Sequence, residues 1–477
     1  MVFRMTESHE NENTNHPVAG ETDSQHPAAV NLRAHHRKVL TGFFVSLAFT
    51  LLLVRLKMWA EPTVIGQEIE ETSYGLLQHH LGAPTADTLR VVVLDISAIP
   101  MRPADSLEPP SVAGLVTDRT SLSKIVSSLD TEDDKPMAIG LDVDFSPTAH
   151  GFADSADRGI FEDFLNLQSQ RGNPIRVGVN NSISLGPDKW LFDPKYLPLA
   201  TCIVVPNAEK GQSTRYMLED IQVDYRTPLA PYTAGESGHC PAMGFALVKA
   251  GVPDVPWWAK PFAETVVQES RDRLSENKFL VDYSALDLLS ASPPEIKPDT
   301  DMSKFRKDKN LTLANKVVLL GRTRNTTDTF TVPGKPEKPY AGVFLHACAA
   351  YTLLERPLYR LKESGRFLLD FVLSVAIFGI VLGFRWRPHS THVDEFLEHR
   401  LPQLLALFMA VSLILFELLL VPRTHLMWDD FLLVAGVLLV HAPIEHAAGK
   451  GISLLAGGVR SLRVALASSS HRHSEGE

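Results

Sequence analysis

Long apolar runs occur only near the two ends of the chain, while the middle alternates short apolar runs with polar stretches. The first run, Val39–Val54 (VLTGFFVSLAFTLLLV), is slightly short for a membrane span. Leu56, Met58 and Trp59 complete it if Arg55 and Lys57 snorkel. Toward the other end, Phe367–Phe384, Leu401–Val421 and Met427–His441 are each apolar enough to enter a bilayer, the last needing Ala442–Ile444 to reach full length. The pattern predicts four transmembrane helices, at 39–59, 366–385, 401–421 and 427–445. Pro422–His425, between the last two, has room only for a turn.

Between 60 and 362 the periodicity changes. Leu89–Ile96, Ala138–Phe145, Ile175–Val179, Cys202–Val205, Phe279–Val281 and Lys316–Leu320 read as strands bounded by turn residues. The first, second and last of these are nearly continuous Val, Ile and Leu, as strands buried on both faces of a parallel sheet require. Helical stretches intervene at Ser121–Leu129, Asp157–Gln168 and Gly244–Ala250, and Gly342–Leu354 reads as the last helix before the second span. The alternation predicts an α/β layered domain with a mostly parallel sheet.

Charge orients this arrangement. Arg33, Arg37 and Lys38 precede the first span, Arg385 and Arg387 follow the second, and Lys450, Arg460, Arg463 and Arg472 follow the fourth. The positive-inside rule then places both termini in the cytoplasm and 60–362 outside it, with Arg55 and Arg423 dissenting. No small-residue cleavage site follows the first span, so it reads as a signal anchor. Residues 1–38, poor in large apolar side chains, read as a disordered cytoplasmic tail. In the tail at 446–477, Ile452–Ser469 has leucines at helical spacing among basic residues, which suits a short interfacial helix.

Composition narrows the classes. The 477 residues carry a formal charge of −10, against nucleic-acid binding, and three cysteines cannot staple a disulfide scaffold. Cys202 and Cys240 flank a long polar loop, and a disulfide between them would stabilise it by ~3–4 kcal/mol in the chain-entropy reading. Cys348 falls on the last predicted helix and is expected to be buried. Asp370 and Glu417 lie inside predicted spans, where a carboxylate is either functional or a hydrogen-bonding link inside the bundle.

Asn315–Leu354 (NKVVLLGRTRNTTDTFTVPGKPEKPYAGVFLHACAAYTLL) resembles the C-terminal signature of the CHASE2 extracellular sensor domain. Gly321, Asp328, Phe330, Pro333, Gly342, Val343, His346 and Ala347 match that signature. Val91–Ser97 and Gly140–Pro147 are similar to the family's first two strands, and Phe279–Ser284 (FLVDYS) to a later one, with Asp282 where the family has Asn. The resemblance covers 60–362 and implies a sensory domain followed by three spans. It also implies an output module, kinase or cyclase, which is not read in 446–477.

Candidate chemistry gathers at strand ends, where open α/β sheets place their ligand crevice. Asp95, Asp142 and Asp144 close predicted strands, and Asp328 and His346 follow the last one. Asp95, Asp142, Asp328 and His346 are therefore the candidate ligand-binding residues. An acidic cluster there could hold Mg²⁺ or Ca²⁺ or a cationic ligand, whereas capping of helices and strand ends would use the same acids without a ligand. No catalytic elbow, zinc motif or phosphate loop occurs, so an enzyme is not expected. The expectation is a membrane-anchored sensor in a bacterial inner membrane that responds to an unknown extracytoplasmic ligand and acts through a signalling protein in trans. Its cofactor is unknown and homo-oligomerisation is left open. The alternatives are a scaffold of an envelope complex or, further off, an extracytoplasmic enzyme using the strand-end acids.

Overall fold

The computed structural model describes residues 63–103, 115–129, 134–145, 175–179, 200–202, 215–217, 219–223, 238–248, 256–261, 263–264, 278–324, 326, 328–386, 400–428 and 431–437, with scattered positions within 36–59, 162–166 and at 439. The expected tail at 1–38 apart from His36 and Arg37, the helix at 157–168 apart from isolated positions, and the segment 446–477 lie outside the described residues. The chain divides into a larger unit, Leu52–Leu373 with Ala406–Pro443, and a smaller one, Met1–Leu51, Ser374–Leu405 and Ile444–Glu477. In the smaller unit the His36 ring stacks on Trp386 with centroids 4.4 Å apart.

The larger unit is built on a five-stranded sheet in the order β1 (Val91–Asp95), β12 (Val317–Gly321), β4 (Ala138–Asp144), β5 (Ile175–Val179) and β6 (Ala200–Cys202). All four pairings are parallel. Every residue of β12 is buried, which fits a central strand covered on both faces. One face presents Leu94, Ile96, Ile139, Leu141, Val318 and Leu320 to α2 (Arg119–Leu129) and the neighbouring α5 (Met302–Asp308). The other face meets α3 (Met243–Ala246) and α6 (Gly342–Glu355). Helix α6 is apolar all round and buried from Gly342 to Leu354, as a helix wholly inside a core must be. The result is an α/β fold of three layers with a mostly parallel sheet.

Smaller antiparallel pairs decorate it: β2 (Met101–Pro103) with β3 (Leu115–Thr117), β7 (Arg215–Met217) with β11 (Lys278–Leu280), β8 (Glu219–Val223) with β9 (Gly238–Pro241), and β13 (Thr329–Val332) with β14 (Lys335–Ala341). The cysteine pairing proposed above joins β6 to β9, but both thiols lie outside the described side chains. Cys348 is a free, buried thiol.

Three elements at the ends of the domain were not legible in the sequence. Helix α1 (Val64–Gln78) begins at Thr63, whose hydroxyl accepts from the Gly66 N–H at 3.3 Å. Its other end grips a turn of the domain. The Gln78 amide donates to Val281 O at 3.0 Å and accepts from Tyr283 N at 2.9 Å. The Tyr74 hydroxyl accepts from Val281 N at 2.9 Å and also donates to Val281 O. That turn carries a 3₁₀ segment, Tyr283–Ala285, capped by Asp282 and leading into α4 (Leu286–Ala291).

The second element is a three-stranded sheet of β10 (Ala263–Glu264), β15 (Tyr359–Leu361) and β16 (Leu426–Met427). Strand β15 leads into α7 (Glu363–Arg385), and β16 follows α8 (Leu401–Thr424). Helix α8 ends with His425 in the left-handed region (φ 58°), its N–H donating to Val421 O at 2.8 Å in an αL cap. The connection after Thr424 is therefore more than a turn, and Met427, expected to open the fourth span, is a strand residue. Helix resumes at 431–437. Among the described residues one helical stretch, Gln403–Thr424, is long and apolar enough to cross a membrane.

The third is a buried ion pair. Lys57 Nζ lies 2.7 Å from Asp370 Oδ2, with both residues buried, so Lys57 is paired and does not snorkel. Glu417, also buried, accepts the Trp428 N–H at 2.7 Å. Both intrahelical acids thus have internal partners, which favours the hydrogen-bonding link over a functional carboxylate.

Candidate functional site

Register brings the strand-end acids to one edge. Asp95 of β1 stands opposite Gly321 of β12, and Gly321 opposite Asp142 of β4. All three therefore face α6, because in-register residues of a parallel sheet share a face. A Cβ on Gly321 would lie 2.6 Å from Val343 Cβ and 3.2 Å from Asp142 Cβ. Only glycine lets the first turn of α6 come this close to the sheet.

That close approach gathers three of the four candidates. His346 Nε2, one turn into α6 and buried, lies 3.8 Å from Asp142 Oδ1. Asp328 reaches the same helix start: its carbonyl accepts the Gly342 N–H at 3.1 Å, and its carboxylate sits against Gly342 Cα, where any side chain would collide. A carboxylate at this helix end is favoured by the exposed amide dipoles. The Asp328 N–H donates to Thr326 Oγ1 at 3.1 Å, which orients the loop.

The electrostatics of the pair are those of two acids in one place. Burial raises the Asp142 carboxyl well above its ordinary pKa, and the Asp328 charge raises it further. Burial also raises Asp328. Both carboxyls are thus pushed toward their neutral form, in which a carboxyl can donate as well as accept a hydrogen bond. With the imidazole beside them, they suit a cationic or multiply hydrogen-bonding ligand. Among the described residues no group of three or more His, Cys, Asp or Glu is arranged to hold a metal ion.

Asp95 does different work. Its carboxylate accepts from Ser97 N at 2.9 Å, Ser97 Oγ at 2.5 Å and Thr323 N at 3.3 Å, and pairs with Arg324 Nη2 at 2.9 Å. Arg324 also reaches Glu295. Burial opposes the charge on Asp95, but the hydrogen bonds from Ser97 and Thr323 outweigh it and its pKa is lowered. Asp95 is thus an internal anchor for the Arg322–Arg324 loop leading to Asp328.

A second buried acid was noticed in the sequence only as a departure from the family's Asn. Asp282 is fully buried, accepts from Ser284 N at 2.8 Å and lies 3.7 Å from Arg356 Nη1. Its own N–H donates to Thr352 Oγ1 of α6 at 2.7 Å. Burial raises its pKa, against the hydrogen bonds from Ser284 and the Arg356 charge. This cluster ties α1, the Val281–Ser284 turn and the end of α6 together.

The described residues form a layered α/β module with an acid–imidazole cluster at its sheet edge, leading at its C-terminal end into the apolar helix α7. The profile of the CHASE2 domain matches residues 46–383, more than half of the chain, and the chain belongs to that family. The match is wider than the 60–362 expected, running from the first apolar run into α7. No curated protein and no solved structure matches the chain. CHASE2 is a sensory domain of the extracellular type, typical of membrane proteins.

Proposed function

We propose that this protein is a membrane-anchored sensor, with residues 60–362 outside the cytoplasm of a bacterial inner membrane and both termini inside. The Asp142–Asp328–His346 cluster binds the signal, a small cationic or hydrogen-bonding molecule. The domain acts by binding and not by turnover, and its output is delivered by a partner protein in trans. The observation that carries this reading is the family match itself, which takes in the sensory domain together with parts of the apolar segments on both sides. The β10–β15–β16 sheet supports it, since it joins the domain to the start of α7 and the end of α8. A ligand that favours one arrangement of the α6 start would shift that sheet only through its differential affinity for the two arrangements.

The test is a thermal-shift screen of the full chain in mild detergent against small cations, amines and polar metabolites. At least one compound should raise the midpoint, and Asp142→Asn combined with Asp328→Asn should remove that shift. A screen without hits, alongside a stable complex with an envelope protein, would assign a scaffold role instead.

A further inference from the structure

The turn before β10 holds two tryptophans in an exposed position that the core does not explain. Trp257 is 84% exposed and Trp258 39%. The turn is not loose. Pro256 O accepts from Ala259 N at 2.9 Å and Lys260 N at 3.1 Å, Ala259 O accepts from Ala263 N at 2.7 Å, and Ala259 and Ala263 are buried. A rigid turn that turns its indoles outward is presenting them to something, because a large aromatic surface left in water forfeits its burial energy.

Pairing fixes where they point. Strand β10 runs antiparallel to β15, with Ala263 opposite Leu361 and Glu264 opposite Arg360. Stepping back from Ala263 toward Pro256 therefore follows the direction in which the chain leaves Leu361 for α7. Lys362 confirms the juxtaposition, donating from Nζ to Lys260 O at 3.1 Å. The exposed apolar surface of α7 starts at Phe367 (40%) and Leu368 (59%), just beyond this point. The turn thus sits level with the entry of α7 into its apolar stretch, with Lys260 and Lys362 beside it. Tryptophan with nearby lysine is the composition of the membrane–water interface, where the ring lies among acyl carbonyls and the cation meets phosphate.

We infer that the Pro256–Lys260 turn is a lipid-interface anchor, with Trp257 and Trp258 seated in the headgroup layer of the leaflet that α7 enters. This rests on the membrane-anchored reading above. It gives the β10–β15–β16 sheet a second hold on the bilayer besides the helices, so that the sheet is referenced to the membrane surface as well as to the domain.

The experiment uses the full chain reconstituted in phosphatidylcholine vesicles with or without bromine on the acyl chains near the carbonyls. The emission of wild type minus that of Trp257→Phe isolates Trp257. Brominated lipid should quench this difference, as expected of an indole at the membrane interface, and Trp258→Phe should remove a second quenched component. Unchanged difference emission overturns the inference, whether aqueous iodide quenches it, meaning water, or does not, meaning cover by protein. A carbonate wash of the same vesicles separates the two readings. Protein retained without bromolipid quenching refutes the anchor alone, whereas protein released refutes membrane anchoring with it.

Discussion

Gly321→Ala tests the close approach on which the candidate site depends. The new methyl would lie 2.6 Å from both Val343 Cβ and Val343 Cγ2, and 3.2 Å from Asp142 Cβ. Ordinary carbon contacts begin near ~3.5 Å, so α6 or β12 must move by several tenths of an ångström. Val343 Cβ cannot rotate away, which makes the overlap a backbone problem and not a rotamer one. Overpacking of this kind costs about 1–3 kcal/mol. At about 2–4 °C per kcal/mol for a domain of this class, the midpoint should fall by roughly 2–12 °C. Thermal unfolding of the full chain in detergent, followed by intrinsic fluorescence, measures it. Gly82→Ala is the control: nothing lies within 4 Å of its Cβ position, and it should stay within about 0.5 kcal/mol of wild type. Adding Val343→Ala removes one of the two overlaps and should restore part of the loss. If Gly321→Ala melts with wild type, the described contact between α6 and the sheet is wrong.

Asp142 carries a pH prediction. Its pKa is raised on folding, so the native state holds its proton more tightly than the unfolded chain. Its stabilising effect is full below the ordinary value of 3.8 and is lost as pH rises through the folded pKa, and Asp142→Asn should flatten that decline and raise the midpoint at neutral pH; an unaltered pH profile would count against it. Lys57→Met leaves Asp370 charged and buried, and should destabilise by about 3–5 kcal/mol, with Asp370→Leu added restoring most of it in a detergent melt. Additivity of the two single changes would show that the pair does not interact. Tyr74→Phe strips two hydrogen bonds from Val281 and should cost about 1–3 kcal/mol in the same assay, whereas no change would detach α1 from the turn.

The central sheet was legible because its strands are self-contained signals. VVVLD, the AIGL that opens β4, and VVLLG are largely buried runs that need no knowledge of their neighbours to be recognised. Strand ends moved by only a residue where both are described, Lys316–Leu320 becoming Val317–Gly321; of the expected strand Cys202–Val205 only Cys202, in β6, lies within the described residues. Elements set by distant partners were not legible. Lys335–Ala341 (KPEKPYA) has two prolines and two lysines, and is a strand only because β13 pairs with it. Strands β15 and β16 are short and depend on each other across more than sixty intervening residues. The Leu354–Arg366 stretch, which contains no recognisable strand signal, would otherwise pass for a loose joint.

The candidate site divides along the same line. Asp142, Asp328 and His346 converge because Gly321 and Gly342 admit α6, and the signature matched in the sequence contains both glycines beside the candidate side chains. Asp95 stands apart through Arg324, 229 residues away in sequence, and Lys57 meets Asp370 across 313. Pairings at such separations leave no local trace in composition or spacing.

The sidedness of the domain is the claim on which the sensor reading stands. Lys304, exposed on α5, can be replaced by cysteine and probed in intact cells with a membrane-impermeant maleimide, against the unsubstituted chain as baseline. The account predicts labelling of Lys304→Cys before permeabilisation. Labelling only after the cells are opened would place the domain in the cytoplasm and contradict it.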